Sequence, residues 1–464
     1  MKEGWTLMDT RAIDTASVDR DRLYMLIAFT LAVLITAYGV LLSPPFKSVR
    51  AAIGLPEELE GARYNDQTGA ADLINPDGGK TFLGRITFVY HSIFAVLILG
   101  SYLVFTHRYV NDRRLLTDIM LLGALLTVFG GIAYSYITKD FMLHGLFIAG
   151  LTFLFVSGMF TFSKFKPSDL VAWNIYVSGI LLLMGAFIGG WLGASFMKYR
   201  GSFLNALIEG RFDPSLPKEN IFWRALTAHE HAMMAIALAL VFFIALSLVD
   251  LKGGKLTRYL LYLAIPSQVT MALASYSVWF IGGIAHLAIT PAALLLIFST
   301  LLLSLRVDKW NLIKAGLITG NAVMWIAVAI PGALVAMSLR KPLFFNPEFR
   351  AEVWNWAELA YNIGHWHILL LSWGVMLLVI YMVYPVNLGR AGRIAGYLTL
   401  AGYFIASTGI NLYMLGNPPG EYIPNPYDNI YLSTIVEPGL GLLSMGVVLA
   451  YFLYLKQFLR IELS

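Results

Sequence analysis

Six of the eight histidines in this chain stand where an imidazole can do chemistry. They are His91, the pair in Ala228-His229-Glu230-His231, His286, and the pair in Gly364-His365-Trp366-His367. Imidazole ligates transition metals and titrates near neutral pH. The 464 residues contain no cysteine, which excludes disulfides, thiolate metal sites, iron–sulfur clusters and covalently attached c-type haem. Histidine is left as the obvious metal ligand. Glu230 sits between two of these histidines, where a carboxylate can ligate iron, relay protons or simply be solvated.

Spacing restrains what the pairs can do. Residues two apart on an α-helix differ by about 200° in direction. His365 and His367 therefore cannot chelate one metal ion from a regular helix, but each can serve as an axial ligand to a different haem. Two interfacial histidines snorkelling toward water is the competing reading. The same geometry makes His229 and His231 diverge, so one of them faces any given centre. His231, the deeper of the two, is slightly preferred.

The elements that position these residues are membrane spans. Hydrophobic residues make up 58 % of the chain, charged residues 13 %, and mean hydropathy is +0.69. A soluble domain carries about 25 % charged residues, so a water-soluble fold is excluded. Windows of about 19 residues predict an all-α bundle of twelve transmembrane helices. Their limits are 23–43, 86–106, 115–136, 142–162, 171–195, 227–248, 256–279, 284–305, 313–337, 363–384, 395–415 and 435–457. Residues 1–22 read as a cytoplasmic N-terminal segment, and 23–464 as a single twelve-helix membrane domain. The first apolar stretch lacks a small-residue cleavage site and reads as a retained helix.

Basic residues set the orientation. Arg108, Arg113 and Arg114, Lys164 and Lys166, Lys252, Lys255 and Arg258, and Arg390 and Arg393 all follow even-numbered spans. The positive-inside rule then puts both termini in the cytoplasm. All six histidines fall at one outward-facing level, and a histidine inside a span marks a functional site by default. His107 reads as solvated beside Arg108, and His144 as a helix-end residue. The net charge of +5 bears on topology, with no sign of nucleic-acid binding.

Twelve spans, with histidine opening span two, in span six, ending span seven and as His-x-His opening span ten, resemble the catalytic subunit of the haem-copper oxidase superfamily. Gly84-Arg85 ahead of His91 is similar to the Arg-then-His start of span two there. Asn362 to His367, followed by Leu370, Ser372, Trp373 and Gly374, resembles span ten of the cbb3-type oxidases and nitric oxide reductases. Phe222-Trp223 ahead of the span-six histidines also has a counterpart. The resemblance implies that His91 and His367 bind a six-coordinate low-spin haem, with Arg85 nearby. It implies that His365 is the proximal ligand of a five-coordinate high-spin haem. His286, with His231 or His229, would hold a non-haem iron or copper opposite that haem. Both haems would be b-type.

The sequence departs from the family at that second metal. Ala285 stands where a second span-seven histidine is usual, and Ala235 stands four residues after His231, where a cross-linking tyrosine or a glutamate is found. Glu230 and Tyr276 are the substitutes on offer for proton handling. Span seven also carries Gln268, Thr270, Ser275 and Ser277, a possible polar line. The resulting expectation is a membrane terminal reductase of a small gas, nitric oxide ahead of oxygen. The alternatives are a cbb3-like oxygen reductase, a non-catalytic haem b electron-transfer subunit and, from another class, a secondary transporter. Electrons must come from a cytochrome c-type subunit or a quinol on the outer side. The expected location is the inner (plasma) membrane, with lipid around the bundle and the haem layer near the outer face.

Overall fold

The computed structural model describes residues 15–41, 47–54, 82–110, 113–138, 140–208, 221–281, 285–329, 368–383, 388–416 and 431–462. Among them there is no strand, only an isolated bridge between Leu251 and Val307. The helices are α1 (Thr15–Leu41), α2 (Lys47–Ala52), α3 (Phe82–Tyr109), α4 (Arg114–Tyr136), α5 (Phe141–Lys164), α6 (Leu170–Ile208) and α7 (Ile221–Leu246). They continue with α8 (Lys255–Ile281), α9 (His286–Leu305), α10 (Leu312–Val323), α11 (Ile368–Val383), α12 (Gly389–Gly416) and α13 (Glu437–Glu462). A π-helical turn extends α10 over Met324–Ala329, and another, Leu432–Val436, leads into α13.

Each predicted span overlaps a helix among the described residues. Eight of those described are long and apolar enough to cross a membrane, while α10 with its extension and α11 are shorter apolar helices. The chain is an all-α, multi-pass membrane protein. Its surface agrees, because Phe129, Phe160, Phe187 and Phe280 are all more than half exposed. In water such rings would form an aggregation-prone surface; in a bilayer they face acyl chains.

Consecutive helices pack as antiparallel hairpins, α3 on α4, α4 on α5, α6 on α7, α8 on α9, and α12 on α13, and α1 closes the bundle against α3 and α13. Lipid tails are as apolar as leucine, so association must come from close packing. The α12–α13 crossing shows how: Gly402 faces the backbone of Gly439 and Leu443, and a β-carbon there would collide with it. Between α3 and α11, Phe94 meets Trp373 at 4.9 Å between ring centroids, and the Tyr381 ring fills the space over Gly100. Both chains advance in the same direction along this contact, so α3 and α11 run parallel, as two even-numbered spans should.

Loop chemistry ties the helix ends. Asp140 caps α5 through Met142 N at 2.7 Å, and Asn311 caps α10 through Lys314 N at 2.8 Å. Arg50 donates to the Leu41 carbonyl at the end of α1 (2.7 Å), satisfying one of the orphan acceptors there. At one end of the bundle Arg20 pairs with Asp118, and Asp21 pairs with Arg113. His107 Nδ1 lies 3.0 Å from Asp21 Oδ2, which corrects the expectation that His107 is merely solvated. The helix also runs through Arg20, Asp21 and Arg22, so α1 starts ahead of the predicted boundary at residue 23. On that same face of the chain, Arg306 donates to the carbonyls of Lys252 and Gly253, clasping the α7–α8 and α9–α10 loops together.

Candidate functional site

The two histidines of α7 part company. His229 turns toward α6 and α3: its Nδ1 is 2.9 Å from the Gly185 carbonyl. Its ring lies nearly parallel to that of His91, at 11° between planes and 6.4 Å between centroids. His231 turns the other way and lines a cavity. The divergence follows from the 200° between residues two apart on a helix. It assigns the pair to two different environments.

Local packing holds the first environment. His91, from α3, has its Nδ1 2.6 Å from the carbonyl of Thr87 one turn earlier, and its ring meets Phe147 of α5 edge-on at 5.9 Å. A carbonyl oxygen can only accept, so in both histidines the ring proton sits on Nδ1 and Nε2 carries the lone pair. That is the arrangement of metal-bound histidine, in which the far nitrogen donates to a carbonyl or carboxylate. Gly189 on α6 makes room, since a β-carbon there would overlap the His229 ring. Both histidines are only half-buried. Neutral imidazoles with the lone pair on Nε2 are donors of the kind that haem iron or another transition metal accepts.

The second environment is a cavity of about 90 Å³ lined by α7, α8, α9, α10 with its π-helical turn, and α11. Glu230 and His231 stand at one end, and the α7 wall runs on through Met234, Ala235 and Leu238 to Phe242, roughly 18 Å of helix axis. Met271, Met324 and Met376 close the other sides, and the lining is overwhelmingly apolar. Thr300 and Asn321, both buried, add a second polar group to the lining. Thr300 Oγ1 donates to Asn321 Oδ1 at 2.6 Å, and Asn321 Nδ2 donates to Ser304 Oγ at 3.2 Å and the Leu317 carbonyl at 2.8 Å. Met324 opens the π-helical turn of α10. Such turns insert one residue and recur at functional sites. An apolar chamber with an imidazole and a carboxylate at one end suits a small, weakly polar molecule.

The remaining predicted residues are placed as follows. Tyr276 does not line the cavity: its hydroxyl donates to the Leu181 carbonyl on α6 at 2.9 Å. Arg85 occupies the first turn of α3, and His286 is the first residue of α9, directly after Ala285. His365 and His367 lie outside the described residues. Among the described residues no three His, Asp or Glu side chains converge closely enough to hold a metal ion.

The span-seven polar line does not stand open. Gln268 Nε2 donates to Asn174 Oδ1 at 2.8 Å, Ser178 donates to Gln268 Oε1, and Asn174 Nδ2 reaches the Leu261 carbonyl at 3.0 Å. Ser275 and Ser277 donate to carbonyls of their own helix. These groups satisfy one another between α6 and α8. Asn174, Thr300 and Asn321 went unremarked in the sequence, although a carboxamide inside an apolar span is a usable signal.

No protein-family model matches the chain, and no curated protein matches it significantly.

Proposed function

We propose that this protein is a haem-dependent membrane reductase of a small gas, similar in design to nitric oxide reductases. One observation carries the reading: α7 presents His229 to a second imidazole on one side and His231 with Glu230 to an apolar chamber on the other. A pair of neighbouring imidazoles and a small apolar cavity thus lie on two sides of one helix. When bound, haem supplies one-electron redox chemistry, and a neighbouring non-haem iron or copper a second redox centre.

This chain's own residues hold, exclude and protonate. By the resemblance, His91 and His367 would hold the low-spin haem and His365 the high-spin haem. His286 with His231 would hold the second metal, and Glu230, beside His231, would pass protons. The methionine and leucine walls exclude water while admitting an apolar gas. In this reading the twelve predicted spans cross the inner membrane, both termini are cytoplasmic, and the histidine layer lies near the outer face. Electrons enter from a cytochrome c-type subunit or a quinol.

A second reading, a haem b electron-transfer subunit, is favoured by one feature. Ala235, where relatives in the resembling family have tyrosine or glutamate, is itself part of the chamber wall. Optical spectra and turnover assays on the purified protein decide. Two b-type haems, one of them binding carbon monoxide, with consumption of nitric oxide, support the reductase. A single low-spin haem without gas binding supports the electron-transfer subunit, and absence of haem ends both readings.

A further inference from the structure

We infer that the first turns of α12, with the α9–α10 loop beside them, form a binding site for one anionic phospholipid. Arg390, Arg393 and Lys309 surround its phosphate, and its acyl chain runs down the exposed face of α12. The site is independent of the haem reading.

Packing brings the two segments together. Leu312 is seated on Gly396, where a β-carbon would overlap its side chain, so the loop ahead of α10 lies against α12. Across that contact Trp310 Nε1 donates to the Tyr397 hydroxyl at 3.0 Å. Both rings are exposed, Trp310 by 63 % and Tyr397 by 43 %. The bond occupies a lone pair of the Tyr397 oxygen and leaves its proton to donate outward.

Charge and polarity are graded along one face of the helix. Arg390, Arg393 and Tyr397 are spaced three and four apart and stack on that face, all exposed. Lys309 is the exposed neighbour of Trp310. Among the described residues none of these three cations is paired with a carboxylate. Counting Asp308, exposed beside Lys309, the patch carries three positive charges against one negative. Beyond Tyr397 the same face continues through Ala401 and Phe404, an exposed small residue beside an exposed large one. Cations, then a Trp–Tyr pair, then a notched apolar lane repeat the order of phosphate, glycerol and acyl chain in a phospholipid. A soluble phosphate would use only the first of these layers.

The test places the full chain in nanodiscs of phosphatidylcholine containing a minor fraction of brominated lipid. Quenching of Trp310 is read as the difference between wild type and W310F. Brominated phosphatidylglycerol should quench Trp310 at least about fivefold more effectively than brominated phosphatidylcholine, the effect of one basic residue near a membrane surface. R390Q/R393Q should abolish that preference, and R390K/R393K, which keeps the charge, should retain it. K255Q/R258Q removes the same charge from the same end of the bundle, where Lys252 bonds the Arg306 carbonyl, and should leave the preference intact. Equal quenching by the two lipids in wild type overturns the site, and so does a preference that survives R390Q/R393Q. Loss of the preference in K255Q/R258Q as well reports diffuse surface charge and also overturns it. The comparison of headgroups on the wild-type chain stands even where an arginine variant fails to fold.

Discussion

His229 reaches across from α7 to lie 6.4 Å from the ring of His91, while His231, two residues on, faces a separate chamber. One turn of one helix therefore divides the histidine layer into two compartments. The helix α6 enforces the division, because Gly185 and Gly189 receive the His229 ring.

Gly189 is the most sensitive glycine in that arrangement. Gly189→Ala should displace the His229 ring and destabilise the protein by about 1–3 kcal/mol, the usual cost of overpacking. Gly190→Ala, where an added β-carbon meets nothing within 4 Å, should be neutral or stabilising by up to about 1 kcal/mol. Thermal unfolding of the two variants in detergent checks the contrast, and equal melting temperatures would count against the packing.

Filling the chamber should affect gas binding and not the low-spin haem. Ala235→Leu pushes three more carbons into a space of about 90 Å³. Carbon monoxide affinity should fall at least about tenfold, equivalent to 1.4 kcal/mol. The low-spin spectrum should stay unchanged. Flash-photolysis recombination reads the first and absorption the second.

Asn321 bridges α9 and α10 through Thr300 and Ser304. Hydrogen bonds between membrane helices average about 0.6 kcal/mol and reach about 1.7. Asn321→Leu should therefore cost about 1–2 kcal/mol, since Thr300 retains the Leu296 carbonyl as an acceptor at 2.9 Å. A double-mutant cycle with Thr300→Val should return a coupling of about 0.6 kcal/mol. A coupling of zero would show that the two side chains do not communicate.

The ion pairs around Asp21 are partly exposed and should matter little. Asp21→Asn, which weakens the contacts to Arg113 and His107, should cost no more than about 1 kcal/mol. The difference should shrink in 1 M salt, where the Debye length is about 3 Å. Parallel unfolding curves at low and high salt measure it.

The absence of cysteine makes the orientation directly testable. Lys255→Cys and Phe141→Cys place single thiols at opposite predicted ends of the bundle. A membrane-impermeant maleimide should label Phe141→Cys in intact cells and Lys255→Cys only after permeabilisation. The reverse pattern would invert the proposed topology.

Much of this architecture was legible in the residues. Hydropathy located every described long helix, because helices in lipid must be apolar and about 20 residues long. It stopped short on α6, predicted over 171–195 yet running to Ile208, because backbone hydrogen bonds continue past the point where Lys198 and Arg200 end the apolar run. The divergence of His229 and His231 was legible from helical geometry alone. Their partners were not, since which helix lies beside α7 is a property of packing. For the same reason the bond from the Tyr276 hydroxyl to the Leu181 carbonyl on α6 could not be read from the sequence.

The wide turn at Met324–Ala329 accommodates one surplus residue at the end of α10. Deleting a residue within it should let α10 rewind into uniform helix and keep its neighbours, while withdrawing a side chain from the chamber wall. The shape of the chamber is thus set by how many residues the chain spends on that turn as well as by which residues they are, and length variation there is a route to altered ligand size that leaves every histidine in place.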